Sequence, residues 1–279
     1  MPHVNPLCSL GVNQTLERDG MRAGALVGLW AVLSALFLGA ASRFGAFPLG
    51  AAREAEVADR AFRFLMVLAS PVVAAVVSVL VYALATRRGR GDPPEAPAYV
   101  PEHPGVPRAW FALTAALCAY VVYNPGLVGL AEIRGVPLGR LVARGRYAAV
   151  GLPQLPPGGQ LVVRVRASRW FWQFEYPEQG VTSRDLVLPV GRRVRFEITS
   201  TDIVHSFWVP AFRTKIDAVP NLTTYLHVTP TRAGSYEQSV DLRVQCAELC
   251  GVGHALMASP VRVVEPEVFE AWVAQQARR

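Results

Sequence analysis

The chain has 279 residues, 52% of them hydrophobic and 18% charged, with 28 basic against 21 acidic side chains. A mean hydropathy of +0.26 is too apolar for an ordinary soluble domain, and no nucleic-acid partner is expected. The charges are unevenly spread, and the order of elements follows from where they are missing.

Residues 1–22 read as a short N-terminal tail. Arg22 and Arg43 then enclose 20 residues without a charge, Arg63 and Arg87 enclose 23, and Arg108 and Glu132 enclose another 23. About 20 apolar residues carry a helix across a bilayer core, and a helix leaves no backbone amide unpaired in lipid. The spacing predicts a membrane domain over residues 23–131, with helices at about 23–42, 64–86 and 109–131. The first run ends in GAAS, so it reads either as a retained helix or as a signal peptide. Residues 87–108 hold prolines at 93, 94, 97, 101, 104 and 107 and read as an extended connector. Basic residues beside membrane helices stay in the cytoplasm. The TRRGRG run at 86–91 therefore puts this connector inside and everything after the third helix outside. Arg43, Arg53, Arg60 and Arg63, in the proposed outer loop, pull the other way.

Residues 132–160 read as a linker ending in QLPPGGQ. Over residues 161–264 the pattern changes to period two, rich in Val, Phe, Trp and Tyr. LVVRVR, RWFWQFEY, RVRFEIT, IVHSFWV, TYLHVT, SYEQSV and SPVRVVE all read as short strands, parted by turn signals such as PEQG and RAGS. Such a series predicts a β-sandwich or barrel. A C-terminal helix follows over residues 265–279, with Pro266 at a permitted first-turn position. The expected fold class is α + β: membrane helices followed by an extracytoplasmic β domain.

The chemistry is concentrated in QCAELCGVGHALM, residues 245–257. Cys246 and Cys250 are four apart, His254 is four further on and Met257 three beyond, while His205 lies 41 residues upstream on another predicted strand. A disulfide is the plain alternative for two cysteines in one loop outside the cytoplasm. Their company argues for a metal. Thiolate, imidazole and thioether form the soft set that favours copper, whereas zinc rarely takes a thioether. A mononuclear blue-copper site needs one cysteine, two histidines and a weak methionine; here there is a second cysteine. Two bridging thiolates can hold two copper ions with one imidazole on each, leaving Met257 and the Glu248 carbonyl as weak outer ligands.

The stretches SRWFWQFEYP (168–177), ITSTDIVHSFWVPAFRTKIDAVP (198–220) and QCAELCGVGHALM resemble subunit II of the haem–copper cytochrome c oxidases. The resemblance implies a cupredoxin domain with a binuclear CuA centre, extends to the second and third membrane helices, and leaves residues 1–45 outside. By resemblance the ligands are His205, Cys246, Glu248 through its carbonyl, Cys250, His254 and Met257. The Glu248 carboxylate would reach a Mg²⁺ or Mn²⁺ site at the contact with subunit I. Trp170 matches the surface aromatic through which a cytochrome c donor passes its electron. Trp172, Phe174 and Tyr176 read as packing residues, and Asp202 as a ligand-orienting group, an interface residue or a turn cap.

The implied role is the electron-accepting subunit of a respiratory oxidase in the bacterial inner membrane, with the CuA domain on the periplasmic side. Its partners would be subunit I, which reduces oxygen to water with proton translocation, subunit III, a separate cytochrome c-type donor and the lipid bilayer. A quinol oxidase subunit would lack the ligands, nitrous oxide reductase would need a large additional domain, and a copper-delivery protein would not need the RWFW aromatics. Residues 132–279 carry 18 basic against 13 acidic side chains. With Arg169 beside Trp170, this excess predicts a donor whose docking face is acidic or uncharged.

Overall fold

The computed structural model describes residues 6–45, 47–87, 105–134, 138 and 159–278. Residues 88–104 of the connector and 139–158 of the linker lie outside them. Two compact units divide the chain: Met1–Gly45 with Phe62–Leu117, and Ala46–Ala61 with Cys118–Arg279.

Among the described residues, three stretches are long and apolar enough to span a membrane, Ala23–Arg43, Arg53–Thr86 and Gly105–Arg134. The first belongs to helix α1 (Pro6–Arg43) and the second to α2 (Arg53–Arg87). The third comprises α3 (Gly105–Val121), a π-helical turn (Val122–Leu127) and α4 (Val128–Arg134). Helix α1 begins well inside the expected tail, because hydropathy marks where a helix meets lipid and not where its first hydrogen-bonded turn forms. Helix α3 begins four residues before the expected start, with Pro107 in its first turn, where a backbone N–H has no partner to lose. Its kink lies at Asn124, extended at φ −132° and ψ 114°, as the residue before a proline is driven to be.

These helices wear their apolar side chains outward: Val76, Phe111 and Leu113 are 65, 71 and 68% exposed. Three hydroxyls on them bond back within the helix, Ser70 to the Met66 carbonyl, Ser78 to Ala74 and Thr114 to Trp110, whereas the buried Ser34 hydroxyl has no partner among the described residues. The Trp30 indole of α1 donates to the Pro71 carbonyl of α2 at 2.9 Å.

The β domain runs from β1 (Leu161–Ser168) to β11 (Ala258–Val264). Between them lie β2 (Phe171–Tyr176), β3 (Val181–Ser183), β4 (Leu186–Pro189), β5 (Val194–Ser200), β6 (His205–Val209), β7 (Thr214–Ala218), β8 (Thr224–Val228), β9 (Gly234–Ser235) and β10 (Arg243–Cys246). One sheet has the order β3-β2-β1-β5-β8 and the other β4-β11-β10-β6-β7, with β9 pairing β11. Neighbouring strands are antiparallel except β1–β5 and β4–β11. This is the expected sandwich. SYEQSV is the exception among the expected strands: only Ser235 pairs, because the Gln238 and Ser239 amides turn back onto the Ser235 carbonyl.

Alternation explains the core. Strand β2 buries Trp172, Phe174 and Tyr176 completely, β5 buries Val194, Phe196 and Ile198, and β6 buries Phe207 and Val209. The C-terminal helix α5 (Pro266–Gln276) closes one side, with Phe269 and Trp272 at 6.1 and 5.2 Å ring-to-ring from Tyr176. The Tyr176 hydroxyl is paired with both the amide and the carbonyl of Val187 at 2.9 Å.

Residues 47–61 belong to this unit although they precede two membrane-length spans. The Ala51 amide donates to the Ala211 carbonyl, Arg53 to Thr229 and Thr231 to Ala51, at 2.8, 3.0 and 2.9 Å. The Thr229 amide donates to the Glu54 carboxylate at 3.0 Å, and the Leu49 amide to Asp241 at 3.1 Å. Arg213 closes the clamp: its guanidinium binds the Asp59 carboxylate at 3.0 and 3.3 Å and the carbonyls of Pro48, Leu49 and Pro210. Two membrane-length stretches, Arg53–Thr86 and Gly105–Arg134, thus separate the clamp segment from the strands it joins. Arg60 is paired with Glu132 at 2.5 Å.

Candidate metal centre

Strand β6 places His205 at its first residue, fully buried, and β10 ends on Cys246. From there the chain loops out and returns at β11. The loop is pinned by the Cys246 amide on the Met257 carbonyl (3.0 Å), the Ala247 amide on Ser206 (3.0 Å), the His254 amide on Gly251 (3.0 Å) and the Met257 amide on His254 (3.2 Å). Those bonds fold five candidate ligands of a twelve-residue stretch back onto His205.

The sulfurs of Cys246 and Cys250 are 3.8 Å apart. His205 Nδ1 lies 3.8 Å from the Cys246 sulfur and His254 Nδ1 lies 3.6 Å from the Cys250 sulfur. Met257 Sδ is 3.9 Å from Cys250 Sγ, and the Glu248 carbonyl oxygen is 3.2 Å from Cys246 Sγ. All six expected groups are thus together. Both cysteines are free thiols, buried to 2 and 1% exposure, so the disulfide alternative does not hold here. His205, Cys246 and Cys250 alone bring their ligand atoms within 4.8 Å of one another. Two unpaired sulfurs, each with one imidazole nitrogen beside it and a thioether or carbonyl behind, are consistent with a copper site. Glu248 is exposed, while its carbonyl oxygen is the part of it that faces the Cys246 sulfur.

Burial pushes the Cys250 thiol up to about 11, and the neighbouring Cys246 adds to the effect. A metal must therefore displace a proton to bind there. Asp202 makes the contacts both of a ligand-orienting group and of a turn cap. Its carboxylate accepts from His205 Nε2 at 2.9 Å, from the Arg169 amide at 2.8 Å and from the Ile203 amide at 2.7 Å. Burial alone would raise this carboxyl; the bonds from His205, Arg169 and Ile203 outweigh it and hold it well below the usual carboxylate range. The bond fixes the proton on Nε2 and leaves Nδ1 facing the sulfurs, the arrangement that second-shell carboxylates give metal-bound histidines.

Beneath the site, Trp172 packs edge-on to His205 at 6.3 Å and donates to the Met257 carbonyl at 3.4 Å. Trp170 is in the β1–β2 turn and not on a strand. Its indole is 39% exposed and donates to the Cys250 carbonyl at 3.0 Å. Arg169 is paired with Asp202 at 3.3 Å.

Membrane-length helices joined to a cupredoxin-like sandwich that gathers two thiols, two imidazoles and a thioether define a class of helix-tethered β domain with a soft-ligand cluster. The family described as cytochrome c oxidase subunit II, periplasmic domain, matches residues 179–264. Cytochrome c oxidase subunit 2 of Synechocystis sp. is 30% identical over 282 aligned positions, covering 90% of this chain and 81% of that protein. The same subunit of Thermostichus vulcanus is 43% identical over 115 residues, 41% of this chain and 33% of its own length. That of Bacillus subtilis is 37% identical over 116, again 33% of its length. These last two are therefore matched over about a third of their extent. Among solved structures, the periplasmic domain of subunit II of cytochrome oxidase from Bradyrhizobium japonicum is 27% identical, covering 45% of this chain and 96% of that one with a TM-score of 0.40. The chain belongs to the cytochrome c oxidase subunit II family.

Proposed function

We propose that this chain is the electron-accepting subunit of an aerobic respiratory oxidase, taking electrons singly from a cytochrome c-type donor at a binuclear copper centre and handing them to the haem-bearing subunit I. The observation that carries this reading is the pair of buried, unlinked thiols 3.8 Å apart, each with one imidazole Nδ1 beside it.

His205, Cys246, Cys250 and His254 would hold two copper ions, with Met257 and the Glu248 carbonyl as weak outer ligands. When bound, the copper pair supplies a one-electron store whose charge is shared over two metals. The chain's own groups keep that store rigid. Asp202 holds the proton on His205 Nε2, the amide–carbonyl bonds fix the loop, and Trp172, Phe207 and Met257, all fully buried, keep water from the inner side. Little rearrangement is then needed as an electron arrives and leaves. Trp170 is the proposed point of electron uptake, since its indole is both exposed and bonded to a ligand residue.

The ligand loop exposes Leu249, Val252 and Leu256 at 80, 95 and 84%, and the charge of Arg169 is matched by Asp202. Both features support an uncharged docking face on the donor more than an acidic one. The exposed Glu248 carboxylate is the candidate group for a Mg²⁺ or Mn²⁺ ion at the contact with subunit I, beside which a subunit III is expected. The membrane is proposed to be the bacterial inner membrane, with the β domain on its periplasmic side.

The test is the full chain in lipid nanodiscs, loaded with copper, with copper counted per chain and its low-temperature paramagnetic resonance recorded. Two coppers sharing one unpaired electron, reducible by a c-type cytochrome, are expected. A single copper with its electron on one nucleus, or no copper bound, would overturn the reading.

A further inference from the structure

Gly251 and Gly253 flank Val252 in the ligand loop, and both abut the Trp170 indole, but for different reasons. Gly251 has φ +111°, a conformation that excludes side chains by itself. Gly253 has φ −89° and ψ 7°, which any residue can adopt. Its backbone gives no reason for glycine. The indole does: a Cβ at 253 would lie 2.3 Å from Trp170 Cδ2, 2.5 Å from Cγ and 2.7 Å from Cε3. Those are rigid ring atoms, and the ring is held on its other edge by the 3.0 Å bond from Nε1 to the Cys250 carbonyl. It has no room to yield without breaking that bond.

We propose that Gly253 is a positioning residue for electron uptake, the seat that lets the Trp170 indole lie flat on the ligand loop and donate to the carbonyl of Cys250. This rests on the electron-accepting role proposed above. One electron leaves the donor's ferrous haem, which becomes ferric, and reaches the metal centre with no proton transferred. The seated indole supplies an unbroken route for it, from an exposed ring through one hydrogen bond to the backbone of a ligand. A side chain at 253 would lift the ring and replace that bond by a gap.

The experiment uses the full chain in nanodiscs with ¹⁵N-labelled indoles, first without metal. Trp170→Phe assigns the Trp170 Nε1–H resonance. Gly253→Ala is expected to shift that resonance and abolish its protection from solvent exchange. With copper bound, the same variant should keep its copper content, potential and reduction by dithionite, while reduction by a c-type cytochrome slows by up to about 100-fold, the order expected for a misplacement of about 1 Å. In a Trp170→Ala background, Gly253→Ala should cause no further slowing, because it acts through the indole. An unmoved indole resonance, or equal slowing in the Trp170→Ala background, overturns the proposal. If Gly253→Ala does not fold, the unsubstituted chain decides: a Trp170 indole N–H that exchanges freely also overturns it. The metal-free readings stand whether or not the centre proves to be a copper pair, so failure of the seat and failure of the electron-accepting role are told apart.

Discussion

Strand β6 joins two ends of the β domain that are built on different plans. It starts at His205 and ends at Val209, about 14 Å on at the usual strand rise, where Pro210, Ala211 and Arg213 take up the segment that leads into α2. At the first end, five of six candidate ligands fall within residues 246–257, and their types are rare and specific. At the second, Arg213 meets Asp59 across 154 positions and Asp241 meets Leu49 across 192, using groups found on any protein surface. Chemistry that must select one metal is written locally in scarce residues. Attachment, which needs only shape and paired hydrogen bonds, is spread through the chain.

If the two ends are separable, substitutions should damage one and spare the other. Cys250→Ser should be the most severe at the metal end, lowering copper affinity by more than the roughly 100-fold lost when a mere orienting group is removed. Copper titration and paramagnetic resonance would register this, while the metal-free chain should melt almost unchanged. Arg213→Ala should do the reverse. It strands the Asp59 carboxylate, 22% exposed, and should cost about 3 kcal/mol of domain stability with the copper ratio intact; calorimetry of the full chain measures it. Loss of copper binding in a still-folded Arg213→Ala protein would show the ends coupled through β6. Asp202→Asn should weaken copper binding by about tenfold, read by competition with a chelator.

The smallest effect belongs to His227, on β8 opposite Arg195. Burial, then Arg193 and Arg195, lowers its pKa. Its depressed pKa means that the unfolded chain takes the proton more readily, so stability is full above about pH 6.5 and falls as pH drops toward the folded value. His227→Gln should remove that part of the acid sensitivity, which melting between neutral and mildly acid pH would reveal.

The metal end was legible in the sequence because soft ligands at fixed spacing leave few other uses. The strands were legible because alternating burial demands alternating residues, as LVVRVR becoming Leu161, Val163 and Val165 inward demonstrates. The clamp was not: Leu49, Ala51 and Asp59 carry no signature, and nothing local says that a loop before a membrane-length helix completes a sheet protein. Gly253 was hidden for another reason. A glycine in a loop reads as backbone freedom, and only the ring above it reveals a demand for space.

The clamp also sets an order of events during synthesis. Residues 47–61 leave the ribosome 154 positions before Arg213, reckoned from Asp59, which at ordinary elongation rates is about ten to thirty seconds. Throughout that interval the two membrane-length stretches that follow it are made, and only afterwards the residues it pairs with. Arg213 emerges before Cys246, so attachment of the domain can be completed before the first cysteine of the metal loop exists.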